Sequence, residues 1–496
     1  MPIDPPGTEI AATVDQEPSL TRAAITGGFW TVVNNLALKA SGGIKTILLA
    51  RLLAPEDFGL AGLALVCVGT LNMLSSPGVI TALIQKKELD RYDLNVGWWI
   101  HAARGCLLFV LVAPLTGWVA DFYEEPRLRM MLLAVAFTFL LDGFQSIGIV
   151  RLNRKLDFRR LLLMHQVASV AGLIVAVVLA WTLRSAWALV LAHLAQMLVL
   201  LVATYVFEPF RPFLPVDWKR ARNLLGFGKY ISISLVCYFL VVRGVEFILG
   251  KMVGLERYGY YTMALSLVGM VSAPVDQLIT TVAFPALSRL QNEADRLRAA
   301  FAQVFRTAMV ISVPLFVGTA IFGRDVVGLS LQHEWRPVVQ ILVWLCLFGW
   351  FRSMVQCFDV LQTAIGRPHV QTMIRVIELG LFVLAIIPAI QRYGVWGAAA
   401  CLFSIQVVSF LINLMVTSRH IPGTATTIGK IWVSFLPLFA VQILFGWLQW
   451  RWVSVSWPRF AFLGGAYAVL VAAFLLWRER PLLETILRGG QARRAP

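Results

Sequence analysis

Apolar runs of about 20 residues, each ended by a short polar cluster, follow one another along nearly the whole chain. About 20 apolar residues is the length an α-helix needs to cross ~30 Å of hydrocarbon. The pattern predicts spans near residues 25–49, 58–84, 95–120, 128–150, 161–183, 186–207, 229–252, 258–285, 301–323, 336–363, 369–390, 394–417, 430–450 and 457–478. Several contain Gly, Pro or a charge, which is tolerated at membrane depth where the group faces protein or a water-filled cavity. The predicted class is an all-α polytopic membrane protein with about fourteen transmembrane helices.

Composition agrees with the pattern. Hydrophobic residues make up 58% of the chain and charged residues 14%, against the roughly 25% charge of a soluble domain. The net charge of +16 would suit nucleic acid, but the charges cluster in loops between spans. Basic loops beside membrane helices answer to topology and anionic lipid headgroups instead, so no nucleic-acid partner is expected. The cysteines (Cys67, Cys106, Cys237, Cys346, Cys357, Cys401) lie inside apolar runs without metal-ligand spacing and read as buried thiols. No hydrophobic stretch precedes the first span, which is expected to serve as the insertion signal.

Lys and Arg in the loops set the orientation. With a cytoplasmic N-terminus, the inward loops and tail hold about 27 of the 43 basic residues and the outward loops about 11. An even number of spans then leaves both termini in the cytoplasm. Every outward loop is short, which disfavours an enzyme needing a large external domain.

One stretch is said twice. Residues 50–65, ARLLAPEDFGLAGLAL, are echoed at 250–265 by GKMVGLERYGYYTMAL. Glu56/Glu256, Gly59/Gly259, Ala64/Ala264 and Leu65/Leu265 are identical at a constant offset, and Arg51/Lys251 is conservative. Gly69/Gly269 and Thr81/Thr281 keep the same spacing. Both windows fall at the outward turn between the first two helices of a six-helix block. The expected organisation is a cytoplasmic tail (1–21), an N-lobe (22–208), a cytoplasmic linker (209–228), a C-lobe (229–417), two extra helices (418–479) and a cytoplasmic tail (480–496). Parallel repeats of this kind are typical of transporters that rock two halves around a central site.

The first window and GVITALIQKKEL (78–89), RLNRKLDFRRL (151–161) and FPALSRLQ (284–291) resemble polysaccharide-type flippases of lipid-linked oligosaccharides. Those belong to the multidrug/oligosaccharidyl-lipid/polysaccharide exporter superfamily. The resemblance runs from about residue 22 to 417. It implies two pseudo-symmetric six-helix lobes around a central cavity, with two extra C-terminal helices. It also implies outward movement of an undecaprenyl-pyrophosphate-linked glycan across the bacterial inner membrane, for polymerisation into exopolysaccharide, capsule or O-antigen. Membrane lipids and the polymerase and chain-length or export proteins of the same pathway are the implied partners.

The charges within spans are the candidate chemistry, since a centred Lys or Arg costs about 2.5–3.5 kcal/mol on insertion scales. Asn35, Lys39, Gly42 and Thr46 form one helical face; Lys45 lies off it. Gly349, Arg352, Gln356, Asp359 and Thr363 form another, as do Ser266, Gly269, Asp276 and Thr280. Arg243 and Glu246 sit three apart, close enough to pair. One reading makes Lys39, Lys45, Arg104, Arg243 and Arg352 a cationic cavity for pyrophosphate, with Asn35, Thr46, Gln356 and Thr363 on its polar face. The other makes Arg243 with Glu246, and Arg352 with Asp359, structural ion pairs; both stay open. Glu246, Asp276, Asp359 and Glu378 are the candidate coupling acids, because the first span holds no acid. The lack of a P-loop pattern argues against ATP hydrolysis, and no cofactor or metal is expected. The competing functions are an ion-coupled multidrug exporter and, from another class, a membrane-embedded glycan polymerase or ligase.

Overall fold

The computed structural model describes residues 37–38, 41–75, 79–86, 89–155, 157–214, 240, 243–279, 283–291, 293–451 and 456–478. The expected positions Asn35 and Lys39, both tails and most of the 209–228 linker lie outside the described residues.

The elements run α1 (Ser41–Ala50), α2 (Pro55–Leu74), α3 (Val79–Gln85), α4 (Arg91–Tyr123), α5 (Pro126–Gly143), α6 (Ile149–Arg154), α7 (Phe158–Leu183), α8 (Trp187–Phe207) and α9 (243–252). They continue as α10 (Leu255–Leu278), α11 (Phe284–Ser288), α12 (Ala294–Ser330), α13 (Val338–Ala364), α14 (Pro368–His420), α15 (Thr424–Arg451) and α16 (Trp457–Arg478). Among the described residues nine helices are long and apolar enough to cross a membrane. One of them, α14, turns back at Gly394, whose φ of 61° with ψ of −140° only glycine takes without strain. The hydrogen bond between Ser409 and Glu378, on either side of that break, shows that its two legs are antiparallel neighbours. With α5, α10 and the described parts of α1 and α9, the chain makes about fourteen crossings and is a multi-pass membrane protein.

Helix ends follow the local sequence. Pro55 opens α2, where its missing N–H costs nothing. At the start of α4, Asp90 accepts from the Asp93 amide at 2.7 Å and the Asp93 carboxylate accepts from the Asp90 amide at 3.2 Å, a reciprocal cap. Asp93 is buried and meets Lys86 Nζ at 2.5 Å. Three expected spans are shorter than the apolar pattern suggested. The second, fourth and eighth stop at Leu74, Gly143 and Leu278, and short helices α3, α6 and α11 follow. Two of these, α3 and α11, follow the second helix of each repeat.

The outer surface is apolar. Trp118, Trp181, Val206, Leu384, Ile443 and Phe462 are each more than two-thirds exposed, as side chains facing lipid are. Cys106 also lies exposed on α4, unlike the buried Cys346 and Cys357. Trp447 and Trp457 are exposed near helix ends, but Trp98 is buried and donates to Tyr205 Oη at 3.0 Å.

The two lobes, α1–α8 and α9–α14, are related by a pseudo-two-fold axis, and α2 packs on α10 across it. A methyl group on Gly59 would lie 1.9 Å from the Leu255 carbonyl oxygen, and one on Gly259 would lie 1.9 Å from that of Pro55. The repeated glycines face each other where the backbones nearly touch. Outside the repeat, α15 and α16 pack on α12: buried Asp325 accepts from Gln449, which in turn accepts from Arg459 Nη2 at 2.8 Å. Tyr467 donates to the Pro314 carbonyl at 3.0 Å.

Candidate functional site

Between the lobes lies a cavity of about 730 Å³. It is walled by Leu38, by α1 (Gly42, Gly43, Thr46), α9 (Arg243, Glu246), α10 (Ser266, Gly269, Met270, Ser272, Asp276) and α13 (Phe348, Gly349, Arg352). The absence of side chains at Gly42 and Gly269 leaves open space there, whereas a methyl group on Gly349 would meet Phe316 at 2.6 Å. In α10, Pro274 cannot donate to the Met270 carbonyl, leaving a backbone acceptor beside the cavity.

Both arginines of the cavity meet carboxylates. Arg243 Nη1 donates to Glu246 Oε1 at 2.6 Å, and Arg352 Nη2 donates to Asp276 Oδ2 at 2.6 Å. Glu246 is buried and also accepts from Tyr258 Oη at 3.3 Å. Arg243 keeps 43% of its side chain exposed, and Arg352 and Asp276 keep 26% and 28%. Arg243, Arg352 and Asp276 therefore reach the space, while Glu246 lies buried at its wall.

The expected helical faces split. Gly42 and Thr46 line the cavity, as do Ser266, Gly269 and Asp276, while Thr280 lies outside the described residues. Of the expected face on α13, Gly349 and Arg352 line it, beside Phe348. Two turns further along, Asp359 joins a second network instead. Arg375 donates to Asp359 and, at 2.7 Å, to Glu378 Oε2. Glu378 also accepts from Ser409, and Asn413 Nδ2 donates to the Ser409 carbonyl at 3.0 Å. Thr363 donates back to the Asp359 carbonyl at 2.8 Å, and Gln356 is half-buried. In place of an Arg352–Asp359 pair the structure has Arg352–Asp276, because residues seven apart share a helix face but stand about 10 Å apart along its axis, and each meets a nearer partner on a neighbouring helix.

Arg104 and Lys45 are not among the residues lining this cavity. Arg104 Nη2 donates to Asp142 Oδ2 at 2.6 Å and to Asn72 Oδ1 at 2.9 Å, tying α4 to α5 and α2. Lys45 is half-buried on α1. Two partners, Asp142 and Arg375, fall outside the sequence-derived set. Both could have been found as charges inside predicted spans (128–150 and 369–390), and Arg375 also by its spacing of three from Glu378; the partner of Asp142, on another helix, carries no such spacing. Among the described residues no cluster of three or more His, Cys, Asp or Glu is placed to hold a metal.

Further cross-lobe contacts gather at one end of the molecule. Arg51 Nε donates to the Ser330 carbonyl at 2.5 Å, Gln332 Nε2 to the Arg51 carbonyl at 2.7 Å, and Trp335 Nε1 to the Ala50 carbonyl at 2.9 Å. In the mirrored position Lys251 Nζ donates to Glu124 Oε1 at 2.7 Å, and Tyr123 Oη to the Phe247 carbonyl at 3.3 Å. Each lobe thus holds the end of the other's first helix.

Two pseudo-symmetric lobes around a charged interlobe cavity define a flippase- or exporter-type fold. The lipid II flippase MurJ, in an inward closed conformation, superposes with a TM-score of 0.66 at 13% identity, covering 86% of this chain and 97% of that one. Residues 48–340 match the family described as polysaccharide biosynthesis protein, and the chain belongs to that family. It is 24% identical to the lipopolysaccharide biosynthesis protein WzxC of Escherichia coli, over 86% of this chain and 88% of that protein. It is 22% identical to the succinoglycan biosynthesis transport protein ExoT of Rhizobium meliloti, over 82% and 79% respectively.

Proposed function

We propose that this protein moves an undecaprenyl-pyrophosphate-linked oligosaccharide outward across the bacterial inner membrane, for assembly of a surface polysaccharide. The observation that carries this reading is the interlobe cavity into which Arg243 and Arg352 project. A guanidinium fork suits the paired oxygens of a phosphate, and the lipid tail can stay in the bilayer while the head crosses. Family membership and relatives named for lipopolysaccharide and succinoglycan biosynthesis support it.

The mechanism we infer is alternating access, with both termini cytoplasmic. In that orientation the Arg51 and Lys251 ties lie on the outer side, so the cavity is shut outward and ready to load from within. No chemical conversion is assigned to the chain, and the polymerase and export proteins act on its product. Glu378 and Asp359, two carboxylates sharing Arg375 in the C-lobe, are the proposed site of any coupling cation or proton.

Deleting the gene tests the reading. Lipid-linked repeat units should accumulate at the inner face while polymer disappears from the surface. Unchanged polymer export would sink it. Lys39→Ala and Arg352→Ala, inserted at normal abundance, should each impair complementation.

A further inference from the structure

The charged lining described for the cavity is balanced: two guanidinium groups, Arg243 and Arg352, face two carboxylates, Glu246 and Asp276, each pair at 2.6 Å. A site built only to attract a phosphate would not carry an acid on each of its arginines, because the acids cancel the field and compete for the same donors. Nor is either pair simply a buried staple: Arg352–Asp276 joins α13 to α10 but stays partly open to the cavity. Arg243, Arg352 and Asp276 are all partly open to the cavity, and Arg243 and Glu246 sit on the same helix. A pair within one turn of one helix ties no two elements together.

We propose that Glu246 and Asp276 are counter-ion place-holders: they neutralise the arginines while the cavity is empty and give them up to the substrate's phosphates. This rests on the function proposed above and deepens it. In a low-dielectric space an uncompensated guanidinium is costly, and an empty cavity bearing bare cations would have to carry them through the membrane field on every return stroke. With the acids in place the empty lobes reorient with no net charge on these four groups. When a pyrophosphate diester enters, its two negative charges take over the guanidinium donors, and each carboxylate turns away. Glu246 has an alternative partner already in reach in Tyr258, at 3.3 Å on the adjoining helix. Product leaves because the carboxylates compete for the arginines again. The place-holders therefore set a limit on affinity, and that limit lets the cavity let go.

The signature is opposite to that of a structural ion pair. Purified protein in nanodiscs, titrated with farnesyl pyrophosphate, should bind about tenfold more tightly in Glu246→Gln and Asp276→Asn than in wild type, a gain of about 1.4 kcal/mol. The same variants should export less polymer in cells, because release is slowed. Arg243→Ala and Arg352→Ala should bind at least tenfold more weakly. If the acid variants bind equally or more weakly while the arginine variants lose affinity, the place-holder role is overturned and the cavity function stands. If the arginine variants also bind as wild type does, the cavity function itself falls. Should an acid variant fail to fold, infrared difference spectra of the wild type decide: farnesyl pyrophosphate should shift carboxylate bands, and unchanged bands overturn the proposal.

Discussion

Gly59 of α2 and Gly259 of α10 lie face to face on the pseudo-two-fold axis, each against the carbonyl that opens the other's helix, Leu255 and Pro55. The repeat seen in sequence is thus the contact between the lobes. A side chain here meets backbone, which cannot step aside as a flexible side chain can. Gly59→Val or Gly259→Val should cost at least the 1–3 kcal/mol typical of overpacking, lower the melting temperature and abolish export. Gly69→Ala and Gly269→Ala, with open space around them, should leave melting nearly unchanged. Equal melting of the two sets would refute the close crossing.

Arg51 and Lys251 form reciprocal ties between the lobes. Cutting both, with Arg51→Ala and Lys251→Ala, should bias the protein toward opening on that side. Cysteines placed at 51 and 330 and bridged by a cleavable bifunctional thiol reagent should, under the proposed mechanism, block export until the bridge is cleaved.

The Lys251 tie also predicts a pH dependence. The hydrogen bond from Lys251 holds the Glu124 carboxyl below its ordinary range. A carboxyl depressed in the folded state contributes stability above its unfolded pKa and loses it as pH falls through the folded one. Acidification below the ordinary carboxylate range should therefore loosen this side. Lys251→Gln should remove that part of the pH response, as read by accessibility of a cysteine at position 252. A response unchanged by Lys251→Gln would count against the tie.

Arg104 holds α4, α5 and α2 together through Asp142 and Asn72. Arg104 is largely buried but Asp142 keeps 31% of its side chain exposed, so losing one partner should cost less than the about 3–5 kcal/mol of a fully buried pair. Arg104→Gln should accordingly destabilise the purified protein. Arg104→Gln combined with Asp142→Asn should recover much of the loss, together with export. A double variant no more stable than the single would show that the pair matters less than the cation.

Arg375 stands between two acids, Asp359 and Glu378. Arg375→Met leaves two carboxylates together in the C-lobe and should be the most damaging change in that network. Glu378→Gln leaves one neutral acid–base pair and should be milder for folding. If Glu378 takes part in coupling, Glu378→Gln should still lower export; thermal melting and export measured side by side separate the two effects.

Much of this was legible in the chain. The spans, their approximate number and the two-fold repeat follow from hydrophobic length and a constant offset of matching residues, because a bilayer fixes how much apolar chain a crossing needs. Arg243 with Glu246 was readable for the same reason that Arg375 with Glu378 should have been: a spacing of three is a helix-face neighbour. What one sequence could not supply is which helix stands opposite. Arg352 meets Asp276 rather than Asp359, Arg104 meets Asp142, and Asp359 meets Arg375, each by contact between different helices. A helical stripe defines a direction from its own axis and nothing about its neighbour. The chain determined that these charges had to be sheltered; only the packing of the helices decided which of them share a cavity and which are locked in pairs, because burial forces each charge to the nearest partner in space rather than in sequence.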